Sequence, residues 1–340
     1  MVCDYTNIVK KANIYFLNFF LFFMILGDTQ GENMLINILL LITGFALLIK
    51  GADYFVDGAS AMAAYLKIPA IIVGLTVVAM GTSAPEAAIS ISSAMAGSNA
   101  IAIGNVMGSN IANIFLILGI SALITTLTVQ KNTVHFEMPF MIFITLLLCW
   151  IGHQYGIISH TFAGILLGLF LIFLVHLFTI ARGNTETNTV IKQISITKII
   201  LFIVLGLLAL IFGSKITVLA SVDIAKYIGI SERIIGLTVV ALGTSLPELV
   251  TSIIAARKGE SDIAIGNIVG SNIFNILFVL GVAGLILPIP FDHEFLFDSI
   301  FAITAAVLLF LATFRHRKLG TGAGVLFIVL YTIYVVWLCM

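Results

Sequence analysis

Residues 74–119 align with residues 236–281 at a constant offset of 162, without a gap, and 28 of the 46 paired positions are identical. The same offset carries Gly44 onto Gly206, Gly51 onto Gly213 and Tyr65 onto Tyr227, so the duplication extends beyond the best-matched stretch. A repeat on this scale dictates architecture before any single residue does. What it dictates depends on the medium. The chain is 61% hydrophobic and only 9% charged, whereas a soluble domain is about a quarter charged. Apolar runs of about 20 residues cross a bilayer as helices. The duplicated unit is therefore a set of membrane spans.

Apolar segments fall at 35–52, 68–96, 100–126, 136–152 and 157–181, and again at 197–219, 231–256, 262–288, 294–314 and 320–339. Residues 51–66 and 213–229 read as amphipathic extensions of the first and sixth helices. The pattern predicts an all-α integral membrane protein of ten transmembrane helices. It comprises a first five-helix repeat at 34–181, a polar linker at 182–196 and a second repeat at 197–340. Five is odd, so the second copy enters the bilayer from the opposite side. The copies are then inverted about an axis in the membrane plane, an architecture used by many secondary transporters.

Orientation follows from the basic residues. One set of loops holds Lys67, Lys131, Arg182, Lys192, Lys198, Arg257, Lys258, Arg315, Arg317 and Lys318, and reads as cytoplasmic. The opposite set holds little beyond Lys226 and Arg233, with Asp292 and Glu294. Both ends of the ten-helix core then lie outside, in a multi-pass protein of the cell (plasma) membrane. In residues 1–33, Lys10 and Lys11 precede a short apolar run at 14–27. Three readings stay open for it: a cleaved signal segment, an eleventh helix, or an over-long start with Met34 as the first residue.

Formal net charge is zero, which gives no footing for nucleic acid. Cys3, Cys149 and Cys339 are far apart and form neither a disulfide framework nor a metal-type spacing. The six histidines are scattered and read as loop or helix-end residues. Lys50, Asp53 and Asp57 read as interfacial or snorkelling charges. No cofactor, no obligate protein partner and no enzymatic nucleophile–base pair is implied. The expected partners are the lipid bilayer and small inorganic cations, for reasons that lie in the repeated motifs.

The motifs are "GTSAPE" (81–86) with "GNVMGSNIAN" (104–113), and "GTSLPE" (243–248) with "GNIVGSNIFN" (266–275). Pro85 and Pro247 lack an N–H and crowd the carbonyl four residues earlier, so each helix should kink or open there. Backbone freed in this way is tolerated in a membrane only where protein or a watery cavity covers it. Thr82 and Glu86 stand four apart, with Ser83 three before the acid; Thr244, Ser245 and Glu248 repeat the arrangement. Ser109 and Asn113 are also four apart, as are Ser271 and Asn275, so each pair shares a helix face. Gly104 with Gly108, and Gly266 with Gly270, give small-residue faces that let helices approach closely. Four helices thus converge on hydroxyls, amides, freed carbonyls and two carboxylates. A carboxylate at mid-bilayer costs about 2.5–3.5 kcal/mol on insertion scales, and cations would offset that cost. An all-oxygen ligand set selects hard ions such as Na⁺, Ca²⁺, Mg²⁺ or Mn²⁺.

At these residues the sequence resembles the cation/Ca²⁺ exchanger superfamily, the Na⁺/Ca²⁺ exchangers and their prokaryotic relatives. The two motif pairs look like that family's α-repeats, and the likeness covers about residues 34–340. The resemblance implies ten helices and an antiporter that exchanges Ca²⁺ for Na⁺ by alternating access, normally driving Ca²⁺ out. It implies Glu86 and Glu248 as central ligands shared by Ca²⁺ and Na⁺. It adds hydroxyls from Thr82, Ser83, Thr244, Ser245, Ser109 and Ser271, backbone carbonyls from Ala79 and Ala241, and the amide of Asn113. Asn275 occupies a position where family members often carry Asp, leaving two acidic ligands in place of three. That departure keeps H⁺/Ca²⁺ antiport open as an alternative, with a cation channel a more distant one.

Overall fold

The computed structural model describes residues 34–97, 99–183, 195–229 and 241–339. The N-terminal extension, most of the 182–196 linker and the segment 230–240 lie outside the described residues. We label the helices in chain order: α1 (Met34–Leu66), α2 (Ala70–Thr82), α3 (Ala84–Met95), α4 (Asn99–Ala112, continuing to Ile124), α5 (Thr133–Tyr155) and α6 (His160–Gly183). In the second half follow α7 (Ile196–Tyr227), α8 (Ala241–Thr244), α9 (Leu246–Arg257), α10 (Ser261–Ile286), α11 (His293–Phe314) and α12 (Thr321–Cys339). Among the described residues, eight helices are long and apolar enough to span a membrane, and the bent pair α2–α3 makes a ninth. The counterpart of that pair begins, within the described residues, only at α8.

α1 and α7 run unbroken through the segments expected to extend them. At about 1.5 Å per residue each is close to 50 Å long, well beyond the roughly 30 Å apolar core of a bilayer. They lie against each other through glycines. A methyl group on Gly206 would sit 2.6 Å from the Phe55 backbone nitrogen, and one on Gly51 would sit 2.9 Å from the Gly206 carbonyl. α4 and α10 are the interior helices: 72% and 83% of their most apolar stretches are buried, against 17% for α1. Gly266 and Gly270 bring α10 onto α2 at backbone distance, with Gly74, Leu75 and Ala79 opposite, as the small-residue spacing predicts.

Two short antiparallel strand pairs join the halves at their loops. Leu127–Thr128 pairs with Lys318–Leu319, and Ile157–Ile158 pairs with Ile289–Pro290. The first pair puts the Lys131 loop on the same side as Arg315, Arg317 and Lys318. Gln130 also reaches Asp262 at 2.6 Å. This grouping of loops is the one the distribution of basic residues predicts.

Two expectations need correction. Asp53 and Asp57 are not merely interfacial: Lys258 lies 2.7 Å from one carboxylate and 2.6 Å from the other, and also donates to the Asp53 carbonyl. Partial burial works against the ammonium's charge. Hydrogen bonds and ion pairs to the two aspartates outweigh it and hold the group above the usual lysine range. On the ammonium's side the tie is therefore present at neutral pH and is lost as pH rises through that elevated value. Because the aspartates are more than a third exposed, Lys258→Ala is expected to cost no more than about 1 kcal/mol, read as a small fall in melting temperature in detergent. The second correction is His176. It lies within α6 rather than at a helix end, stacks on Phe136 and sits 3.8 Å from buried Glu137.

Candidate ion-binding cage

The proline motif breaks its helix where the sequence predicts. α2 ends at Thr82, Ser83 leaves helical geometry (φ −81°, ψ 8°), and α3 sets off at 49° to α2. Ser245 takes the same conformation (φ −88°, ψ 7°) between α8 and α9. Pro85 and Pro247 fall in the first turn of the second segment, where a missing N–H costs nothing. Glu86 and Glu248 follow directly, so each carboxylate sits in the first turn of a new helix. The free N–H groups and dipole there favour negative charge. Both side chains are completely buried.

The two repeats hold each other's acids. Ser83 donates to Glu248 Oε1 at 2.8 Å, and Ser245 donates to Glu86 Oε1 at 3.3 Å. Ser245 also lies 3.4 Å from Ser109 Oγ. The crossed bonds from Ser83 and Ser245 bring the two carboxylates to one junction between the repeats. They share one environment rather than pointing apart. Ser271 donates to the Ala79 carbonyl at 3.3 Å, and Thr82 Oγ1 lies 2.9 Å from Asn267 Oδ1, 3.1 Å from the Val78 carbonyl and 3.3 Å from that of Ala79. Thr244 ends α8 beside Ser245, and Ala241 begins it.

Asn113 and Asn275 are fully buried where α4 and α10 each pass into a π-helical turn, Asn113–Leu118 and Asn275–Val279. Asn113 Nδ2 donates to Asn272 Oδ1 at 2.9 Å; Asn275 Nδ2 donates to Asn110 Oδ1 at 3.2 Å. Among the described residues, the motif acids and asparagines leave four buried oxygens without a hydrogen-bond partner: Glu86 Oε2, Glu248 Oε2, Asn113 Oδ1 and Asn275 Oδ1. Buried polar atoms are nearly always paired. Four orphaned acceptors, two from each repeat and matched by the 162-residue offset, fit a cation as the missing partner.

Sequence reasoning missed a supporting layer. Asn105 Nδ2 binds the Glu86 carbonyl (3.3 Å) and Ser90 Oγ (3.0 Å); Asn267 Nδ2 binds the Glu248 carbonyl (3.4 Å) and Ser252 Oγ (2.9 Å). These bonds fix the turns that carry the acids. The available signal was identity: Asn105, Ser90 and their counterparts are unchanged between the copies.

The sodium/calcium exchanger protein family model matches residues 36–179 and 198–340. The inner membrane protein YrbG of Escherichia coli is 34% identical over 322 residues, covering 90% of this chain and 97% of that protein. The sodium/calcium exchanger MaX1 of Methanosarcina acetivorans is 33% identical over 348 residues, covering 89% and 97%. Among solved structures, the sodium-calcium exchanger NCX_Mj soaked with Na⁺ and Sr²⁺ superposes with a TM-score of 0.80 at 31% identity, over 89% of this chain and 99% of that one. An inverted duplication, two broken helices and two buried acids, each bonded by the opposite repeat, are thus joined to a family match over both halves: the chain belongs to the sodium/calcium exchanger family, whose members are membrane transporters and not enzymes.

Proposed function

We propose that the protein is a secondary antiporter that exchanges Ca²⁺ for Na⁺ by alternating access, with Na⁺ inflow driving Ca²⁺ out of the cell. The carrying observation is the set of four buried, unpartnered oxygens on Glu86, Glu248, Asn113 and Asn275. On this reading Thr82, Ser83, Thr244, Ser245, Ser109 and Ser271 and the carbonyls of Ala79 and Ala241 complete the ligand shells. The halves 34–181 and 197–340 act as inverted partners, and the basic loops face the cytoplasm. Two carboxylates balance one Ca²⁺. An empty cage would carry about two negative charges into a low-dielectric gate, which is strongly unfavourable. The protein therefore closes over a loaded cage, and exchange rather than leak follows.

The test is uptake of radiolabelled Ca²⁺ by proteoliposomes with an imposed Na⁺ gradient. Gradient-dependent uptake supports the reading, and its absence at clamped pH and potential ends it. Asn275 favours a second reading on the same fold, in which H⁺ replaces Na⁺, because one acid fewer lines the cage. Uptake driven by a pH gradient in Na⁺-free medium would select it.

Two variants probe the ligand set. Ser83→Ala and Ser245→Ala each remove a hydrogen bond to a buried acid, and apparent Ca²⁺ affinity is expected to fall about tenfold. Asn275→Asp adds a third negative charge to the proposed cage. It is expected to lower the half-saturating Ca²⁺ concentration by about tenfold or more, measured by uptake at fixed Na⁺.

A further inference from the structure

An asparagine amide presents either an oxygen or an NH₂, and only the oxygen can bind a cation. Asn113 and Asn275 both use the NH₂ in a hydrogen bond and leave the oxygen buried without a partner, and the structure contains a reason. Asn110 Nδ2 donates to the Asn272 backbone carbonyl at 3.3 Å, and Asn272 Nδ2 donates to the Asn110 backbone carbonyl at 3.1 Å. A backbone carbonyl cannot turn round; it only accepts. It therefore fixes which end of each clasping amide faces it, and leaves Asn110 Oδ1 and Asn272 Oδ1 as acceptors. Those acceptors bind the NH₂ of Asn275 and Asn113, each across the repeat boundary. The remaining Oδ1 of each is buried and without a partner.

We propose that Asn110 and Asn272 are positioning residues, a reciprocal amide clasp that holds Asn113 and Asn275 oxygen-first toward the cage and so restricts it to cations. This rests on the ion-cage reading above. The clasp also couples the repeats: the orientation of a ligand on one is set by a backbone carbonyl of its own repeat, relayed through an amide of the other.

The experiment measures equilibrium binding of radiolabelled Ca²⁺ to the purified protein, which needs no transport. Asn110→Ala leaves the Asn275 amide free to turn, and binding is expected to weaken about tenfold. In an Asn275→Asp background either carboxylate oxygen can serve as ligand, so the same Asn110→Ala change is expected to cost less than about twofold. The mirror pair, Asn272→Ala with and without Asn113→Asp, gives the same contrast. Asn110→Ser and Asn272→Ser supply smaller perturbations if an alanine variant fails to fold. Equal losses in both backgrounds, or no loss in the wild-type background, overturn the clasp. A protein that binds Ca²⁺ with this pattern but shows no Na⁺-driven uptake overturns the antiport reading and upholds the clasp. A wild type that binds neither Ca²⁺ nor Na⁺ overturns both.

Discussion

Glu86→Gln and Glu248→Gln are each expected to reduce Na⁺-driven Ca²⁺ uptake by at least about a hundredfold. Glutamine keeps the shape of the side chain and keeps an oxygen for the serine of the opposite repeat, so the 2.8 Å bond from Ser83 and the 3.3 Å bond from Ser245 have an acceptor to survive on. On the proposed reading, what is lost is one of two charges that face a divalent ion in a buried site. One remaining carboxylate cannot neutralise Ca²⁺, and the loaded cage would close on an uncompensated positive charge. A second measurement separates this cause from misfolding. In metal-free buffer two buried like charges repel, so each glutamine variant should melt at a higher temperature than wild type while losing the stabilisation that Ca²⁺ confers. A variant that transports at near wild-type rate would remove the glutamates from the mechanism.

The layout of the fold was legible because two independent signals agree. Hydropathy gave the spans, and the 162-residue offset gave their pairing, so an odd count within each copy implied inversion. The breaks were legible because Pro85 and Pro247 remove a specific hydrogen bond at a specific place. The acids and hydroxyls were legible because burying them in oil requires a reason. The amides were not. Asn105, Asn110, Asn267 and Asn272 sit in the same repeated motifs, but an asparagine on a membrane helix serves equally well as glue between helices. Its role depends on which partner its two ends find. Those partners come from 15 to 185 residues away, and for Asn110 and Asn272 they lie on the other repeat. Distance hid the Lys258 tie in the same way, since its aspartates stand 205 and 201 positions earlier. His176 was misplaced because a histidine in an apolar run suggests a helix end until buried Glu137 is found beside it.

The second large effect is expected at two glycines that contain no chemistry. A methyl group on Gly270 would lie 2.7 Å from the Leu75 carbonyl and 2.8 Å from its Cα; one on Gly206 would lie 2.6 Å from the Phe55 backbone nitrogen and 2.8 Å from the Gly51 carbonyl. All four neighbours are backbone and cannot rotate away, so alanine at either site must push two helices apart, at about 1–3 kcal/mol. The consequences should differ. Gly270→Ala moves α10 from α2 beside Ala79 and Ser271, within the cage itself, and small displacements of ligands can cost about a hundredfold. Binding of Ca²⁺ and transport should fall together. Gly206→Ala instead separates α1 from α7, the two long helices that, if the proposed alternating access operates, would slide across the rest of the bundle to switch the exposed side. α7 touches the cage region through Ser214, which donates to the Gly243 carbonyl at 2.7 Å, and that bond must be remade as the helices move. Gly206→Ala should therefore slow exchange while equilibrium Ca²⁺ binding stays near wild type. Gly168→Ala, where an added methyl meets nothing within 4 Å, should change neither. If Gly206→Ala weakens binding as much as Gly270→Ala does, α1 and α7 form part of the cage wall, and the sliding mechanism loses its separate moving element.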